Sequence, residues 1–200
     1  MFLSFEGLDG SGKTTQAELL AAHLTEQGRE VVLTREPGGT PLGEAIRSLL
    51  LDGPEMTPWA EAALFAAARG ELAERVIRPA LHRGAVVICD RYLDSSLAYQ
   101  GIARGLGVGP VLDLNAFVSG DLVPDRTFLL DIEPGRAVDR LGAPDRMERQ
   151  ADAFKAAVAQ AYRELARRYP DRIVVLDATL PPDAIAAQVR ERLEVRGAPA

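Results

Sequence analysis

Gly7-Leu8-Asp9-Gly10-Ser11-Gly12-Lys13-Thr14 fits the pattern G-x-x-x-x-G-K-[ST] at every fixed position. Before it stands the apolar run Phe2-Leu3-Ser4-Phe5, which reads as a buried strand. After it, Lys13 to Gln27 reads as a helix, with Leu19, Leu20, Ala22 and Leu24 on its apolar side and Gly28 as the stop. Strand, glycine-rich turn and helix in that order form the setting the motif requires. The glycines let the backbone turn tightly, so that its N–H groups point inward at phosphates. The helix N-terminus adds the positive end of its dipole. In this reading Lys13 reaches the β- and γ-phosphates of a nucleotide, Thr14 offers a hydroxyl to Mg²⁺, and Gly7, Leu8, Asp9, Gly10, Ser11, Gly12 and Thr15 complete the loop.

Working outward, strand-like and helix-like segments alternate. Glu30 to Thr34, Ala85 to Cys89, Arg126 to Leu130 and Ile173 to Leu176 read as four further strands. Thr40-Pro41 and Thr57-Pro58 each pair an N-cap with a proline at the first helical position. They open helices to about Leu51 and about His82. Shorter helices are expected over Asp94 to Gly101 and Pro110 to Val118. Pro134 starts one that ends near Leu141, Gln150 to Arg168 forms a long one, and Pro181-Pro182-Asp183 opens the last. The strands are continuous apolar runs rather than alternating ones, the mark of a parallel sheet covered on both faces. The fold class predicted is α/β: a P-loop NTPase-type three-layer sandwich, with a five-stranded parallel sheet, helices on both faces and a small lid. Residues 1–200 read as one domain, the lid being an insertion at about 141–150.

Composition narrows the partners. Of 200 residues, 23 are Lys or Arg and 29 are Asp or Glu, so the net charge is -6. That balance argues against a protein that coats a nucleic-acid polymer, which needs an extended basic surface. A local anion pocket is compatible with it. Cys89 is the only cysteine, so an intrachain disulfide framework or a Cys-rich zinc site is excluded. Met1 to Gly7 has no basic n-region and meets Glu6 at once, unlike a secretory signal. The longest purely apolar run, Ala62 to Ala68, is far shorter than the ~20 residues of a membrane span. The expectation is a cytoplasmic protein without a membrane partner.

The phosphate loop does not name a reaction. A guanine-reading N/T-K-x-D segment is missing, because the only lysines are Lys13 and Lys155 and neither has that setting. Small size and several Arg-bearing segments favour a kinase acting on a small phosphorylated substrate. Three more segments point the same way: Thr34-Arg35-Glu36-Pro37-Gly38-Gly39-Thr40, Asp90-Arg91-Tyr92, and Ser95-Ser96-Leu97-Ala98-Tyr99-Gln100-Gly101. Arg35 and Arg91 each follow a strand, and ligands of open parallel sheets bind beyond the carboxyl ends of strands. Arg is suited to bidentate phosphate contact. Phe65 and Arg69, four apart on one helix face, can stack on a pyrimidine and hydrogen-bond its edge. Spacing alone equally allows Phe65 in the core and Arg69 on a solvated face.

Together with the phosphate loop and Asp177-Ala178-Thr179, these segments resemble the thymidylate kinases over about residues 2 to 180. The resemblance implies transfer of the γ-phosphate of ATP to dTMP, with Mg²⁺, in a homodimer. It implies that Phe65 and Arg69 bind thymine, that Arg35 and Arg91 hold the acceptor phosphate with Arg47 assisting, and that Glu36 shapes the same pocket. Ser96 and Gln100 would lie near the base, with Tyr99 against the deoxyribose. Asp9 would sit near the sugar 3′-hydroxyl and the metal. Asp90 ends an apolar strand, as a metal-associated carboxylate does; Asp131 rivals it for that role.

Position 11 is Ser, so the phosphate loop lacks the arginine found in some thymidylate kinases. Asp145-Arg146-Met147-Glu148 resembles the lid of those that supply it from there. The expectation is Arg146 as the main transferring charge, Arg149 as its helper and Arg140 as an adenine or phosphate contact. Alternatives are another nucleoside monophosphate or deoxynucleoside kinase, and a non-catalytic nucleotide-binding module.

Overall fold

The computed structural model describes residues 1–138, 146–147 and 150–194. Five strands, β1 (Phe2–Gly7), β2 (Val31–Arg35), β3 (Val86–Asp90), β4 (Arg126–Asp131) and β5 (Ile173–Asp177), form one all-parallel sheet in the order β2-β3-β1-β4-β5. Every residue of β1 is buried, as a central strand covered on both faces requires. The chain leaves β1 toward β2 on one side and later returns to β4 on the other. The carboxyl end of β1 is therefore the point where the strand order reverses, the place where open α/β sheets bind ligands.

The helices are α1 (Lys13–Glu26), α2 (Pro41–Asp52), α3 (Pro58–Leu72), α4 (Arg78–His82), α5 (Leu93–Ser96), α6 (Val108–Ser119), α7 (Pro134–Val138), α8 (Asp152–Arg168) and α9 (Pro182–Glu194). The Thr-Pro starts behave as read. Thr40 Oγ1 accepts from the Gly43 N–H at 2.9 Å, and Thr57 Oγ1 from the Ala60 N–H at 3.4 Å. The segment expected as one helix from Pro58 to His82 is continuous but changes pitch: a π turn, Ala73–Ile77, joins α3 to α4. A second π turn, Leu97–Ala103, extends α5. Pro79 stands just beyond the first turn and Gly101 lies within the second. The long helix expected from Gln150 begins at Asp152.

The main core lies on both faces of the sheet. Phe5 stacks on Phe128 at 5.3 Å between ring centroids, and Phe2 meets Tyr92 edge-on at 4.9 Å. A smaller cluster of Ile46, Leu50 and Ala68 ties α2 to α3. One polar network is built into this interior. Asp94 is fully buried at α5 and accepts from Arg172 Nη1 at 2.6 Å, Arg172 Nη2 at 2.7 Å and Thr127 Oγ1 at 2.9 Å. Thr127 on β4 in turn pairs with Ser4 on β1 at 2.8 Å. The network fastens α5 to the sheet and so fixes the start of the segment that carries Ser95 to Gln100. Removing one partner of a buried ion pair leaves the other unpaired. Asp94→Ala should therefore lose about 3–5 kcal/mol of unfolding free energy, read by urea denaturation.

Candidate active site

Gly7 ends β1 at φ 138°, and a Cβ there would stand 2.5 Å from the Leu130 carbonyl oxygen, so β4 can pack against the loop only if this residue is glycine. Gly12 caps α1 in the left-handed region, and no side chain caps the helix. The first N–H groups of α1 thus open onto a cavity of about 850 Å³ lined by residues 9–18. Its far wall is apolar, made by Ala178, Leu180, Pro182 and Ile185 beyond β5 and on α9. The charged wall holds Arg35, Glu36, Arg47, Asp90 and Arg91.

Lys13 is buried, and its Nζ donates to the Leu8 carbonyl at 2.8 Å and lies 3.8 Å from Asp9 Oδ1. Burial, helped by Arg91, pulls the Lys13 ammonium down to about 8, against Asp9, Asp90 and Glu6. For Asp9, burial acts upward, but Arg91 and Lys13 outweigh it and hold the carboxyl down to about 2. Thr14 Oγ1 donates to Asp90 Oδ2 at 2.5 Å, and Asp90 Oδ1 is buried without a partner among the described residues. A hydroxyl and a carboxylate side by side, with an orphaned oxygen, fit a divalent cation completed by nucleotide phosphates and water. Among the described residues no cluster of three or more His, Cys, Asp or Glu could hold an ion alone.

A second cleft, of about 80 Å³, adjoins the first. Asp9, Glu36, Arg47 and Arg91 line both. The cleft is completed by Phe65 on α3, by Ser96, Tyr99 and Gln100, and by Met147. Most of the residues expected to meet the acceptor are thus brought together.

Arg91 has a left-handed backbone, φ 68°, unusual for a branched, bulky chain and costing about 1 kcal/mol or more. Glu6 holds it there. This carboxylate, wholly buried at the end of β1, accepts from the Tyr92 N–H at 2.8 Å, the Ser95 N–H at 3.3 Å, Ser95 Oγ at 2.6 Å and the Tyr162 hydroxyl at 2.9 Å. Burial pushes the Glu6 carboxyl upward and Asp94 adds to this, against the pull of Arg91. Arg91 itself donates to Ser95 Oγ at 3.1 Å, to the Tyr162 hydroxyl at 3.2 Å and, through Nη2, to Asp9. Tyr99 is a further hydrogen-bond partner of this side chain. Its guanidinium lies over the Tyr99 ring, 5.5 Å from the centroid.

Two expectations need correction. Arg69, expected at the base, does not line the cleft. It is 1% exposed, and all five of its N–H donors are taken: two by Glu36 Oε2, the others by Ser96 Oγ, Asn115 Oδ1 and the Tyr92 carbonyl. A guanidinium this far inside needs a full set of acceptors, and the protein supplies them. Arg146, expected over the phosphates, lines neither cavity. It is buried against α2 and α3, where Nε donates to the Leu50 carbonyl at 2.6 Å and Nη2 to Glu61 Oε2 at 2.9 Å. Glu61 is a buried carboxylate that pairs with Arg146 and also with Arg104. Arg140 and Arg149 lie outside the described residues. Arg35 is half-exposed and forked onto Glu44 at 3.0 and 3.1 Å, and Arg47 donates to the Pro37 carbonyl at 2.9 Å.

Glu6, Glu61, Ser95 and Tyr162 escaped the sequence reading. Glu6 left one trace, a charge inside an apolar strand directly before the loop. Glu61 left another, since residues 61, 65 and 69 share one stripe of α3. Tyr162 left none.

The family model for thymidylate kinase matches residues 5–189. Thymidylate kinase from Bifidobacterium longum (strain NCC 2705) is 50% identical over 200 residues, covering 97% of each chain. That from Thermomicrobium roseum is 51% identical over 192 residues, covering 94% of this chain and 91% of its own. The crystal structure of thymidylate kinase from Ehrlichia chaffeensis superposes with a TM-score of 0.82 at 35% identity, covering 97% of this chain and 98% of that one.

The buried Lys13 ammonium carries a stability cost. Because its folded-state value lies below the ordinary 10.5, the cost is complete below about pH 8 and fades as pH rises from there toward 10.5. At pH 7, Lys13→Met should make the nucleotide-free protein more stable by about 1–3 kcal/mol in urea unfolding. The same variant should lose phosphoryl transfer by about 10³-fold or more in a coupled ADP assay.

Proposed function

The chain belongs to the thymidylate kinase family, whose members phosphorylate dTMP with ATP, and we propose that it brings the two substrates' phosphates together at the wall its two cavities share. The observation that carries this is the position of Asp9 and Arg91, which face both cavities at once. ATP occupies the larger cavity, its phosphates over the N-terminus of α1 and its base against the apolar wall of Ala178, Leu180, Pro182 and Ile185. The monophosphate occupies the cleft, its base between Phe65 and the Ser96–Gln100 helix and its sugar against Tyr99.

The chemistry is then a matter of placement and charge. An oxygen of the dTMP phosphate attacks the γ-phosphorus, the bond to the β-phosphate oxygen breaks, and ADP leaves. The acceptor oxygen is already anionic, so no side chain has to remove a proton. Lys13 neutralises charge on the donor phosphates. Arg91 offers its guanidinium to the acceptor phosphate, with Arg35 and Arg47 beside it. Asp9 keeps Arg91 aimed and stays ionised throughout the physiological range, given its value of about 2. Thr14 and Asp90 would hold a Mg²⁺ ion, which supplies charge neutralisation on the donor phosphates when bound. The lid expected at about 141–150, within a single domain, falls largely outside the described residues.

Among the described residues no helix is long and apolar enough to cross a membrane. A cytoplasmic location, where the nucleotide substrates are made, belongs to the same reading. So does a homodimer, in which a second copy covers the α6 face where Phe117 is 89% exposed.

Three measurements test these points. ADP release with dTMP, dUMP, CMP, AMP and thymidine as acceptors should favour dTMP clearly; equal rates, or release without acceptor, would sink the assignment. Arg91→Ala should lower kcat/KM for dTMP by about 10²–10³-fold with a small change in the KM for ATP. Phe117→Asp should shift the sedimentation coefficient from dimer to monomer, and an unshifted dimer would place the interface elsewhere.

A further inference from the structure

Glu61 stands outside every role given so far, yet its surroundings are unusually complete. The carboxylate is 1% exposed at the start of α3. Oε1 accepts from Gln100 Nε2 at 3.0 Å and from Arg104 Nε at 3.3 Å. Oε2 accepts from Arg104 Nη2 at 3.3 Å and Arg146 Nη2 at 2.9 Å. Flanked by two guanidinium groups, it acts toward Gln100 as an acceptor only.

That settles which way the Gln100 amide faces. The NH₂ group points at Glu61, and the carbonyl oxygen on the same carbon turns the other way. Gln100 lines the cleft, and its Oε1 has no protein partner among the described residues. One helical turn earlier, Ser96 Oγ accepts from Arg69 Nη1 at 2.9 Å, which turns the Ser96 hydroxyl hydrogen away from Arg69. The cleft thus shows an acceptor at Gln100 and a donor at Ser96. Each polarity is set by a buried charge behind it, Glu61 in one case and Arg69 in the other.

We propose that Glu61 is a positioning residue for base selection: by fixing the Gln100 amide, it makes the cleft complementary to a lactam pyrimidine edge, N3–H beside C=O, and mismatched to cytosine. Cytosine presents the reverse order, a bare N3 beside an NH₂, so acceptor meets acceptor and donor meets donor. A site built around such bonds discriminates strongly, because the wrong base leaves buried polar groups unpaired. The inference rests on the reading that the monophosphate base occupies this cleft.

The test compares kcat/KM for dTMP and dCMP in the wild type, Glu61→Gln, Gln100→Leu and the double variant. In Glu61→Gln the two arginines claim the new amide oxygen and turn its NH₂ toward Gln100, which frees the Gln100 amide to reverse. The dTMP/dCMP ratio should fall at least about tenfold, with kcat/KM for dCMP itself rising and the KM for ATP within about twofold. In the Gln100→Leu background, Glu61→Gln should leave the ratio unmoved, since the two act as one unit. An equal loss for both nucleotides, or a full Glu61→Gln effect without Gln100, overturns the proposal. Should Glu61→Gln fail to fold, the wild type still decides. N3-methyl-dTMP, which lacks the N3 hydrogen, should bind at least about tenfold more weakly than dTMP, and equal binding overturns the proposal. A wild type inert toward dTMP would sink the functional reading and this inference with it. An active wild type with an unmoved ratio sinks this inference alone.

Discussion

Glu6 is wholly buried at the end of the central strand, and three of the four hydrogen bonds it accepts hold the chain that follows β3, the fourth coming from Tyr162 on α8. With the Arg91 N–H bonded to the Phe5 carbonyl at 2.9 Å, they oppose the strain of the left-handed turn and give Arg91, Ser95 and the helix that continues to Gln100 a common origin. The constraint works because it is internal. A carboxylate in that position cannot be satisfied by water, so the N–H and O–H groups of the 91–95 turn and of Tyr162 must come to it. Tyr162 belongs to α8, so the same carboxylate ties two distant stretches of chain to the strand that leads into the phosphate loop.

Around this anchor the arginines divide by how many donors they have left. Arg69 has none, and its charge shapes the wall from behind. Arg91 is not fully spent, and it lines both cavities. Arg146 is spent on Leu50 and Glu61, which fastens it to α2 and α3. Net charge says nothing about this sorting. What separates a ligand-binding cation from a structural one is the count of acceptors the protein has already supplied.

The sheet, its helices and the place of the phosphate loop were legible in the sequence, because apolar runs, Thr-Pro starts and the glycine motif each act locally. The elements of the acceptor cleft were legible for the same reason: Phe65 shares a stripe of α3 with Arg69, and Ser96 and Gln100 lie one turn apart. What could not be read was which polar groups meet across the fold. Glu61 and Arg146 are 85 positions apart, and Glu6 and Tyr162 are 156 apart. No period or spacing encodes such pairs, so Arg69 and Arg146 looked like ligand contacts when buried carboxylates had a prior claim on them. The π turns at Ala73–Ile77 and Leu97–Ala103 were hidden too, since a single widened turn leaves the apolar pattern almost unchanged.

The shared wall of Asp9, Glu36, Arg47 and Arg91 has a thermodynamic consequence. The same charged residues line both cavities, so an anion in one alters the field felt in the other, and the affinities of donor and acceptor are linked reciprocally. A single molecule carrying a nucleoside at each end of a polyphosphate bridge would engage both cavities while giving up its translational and rotational freedom only once. Its affinity would approach the product of the two separate ones multiplied by an effective concentration, and the length of the bridge would set that factor.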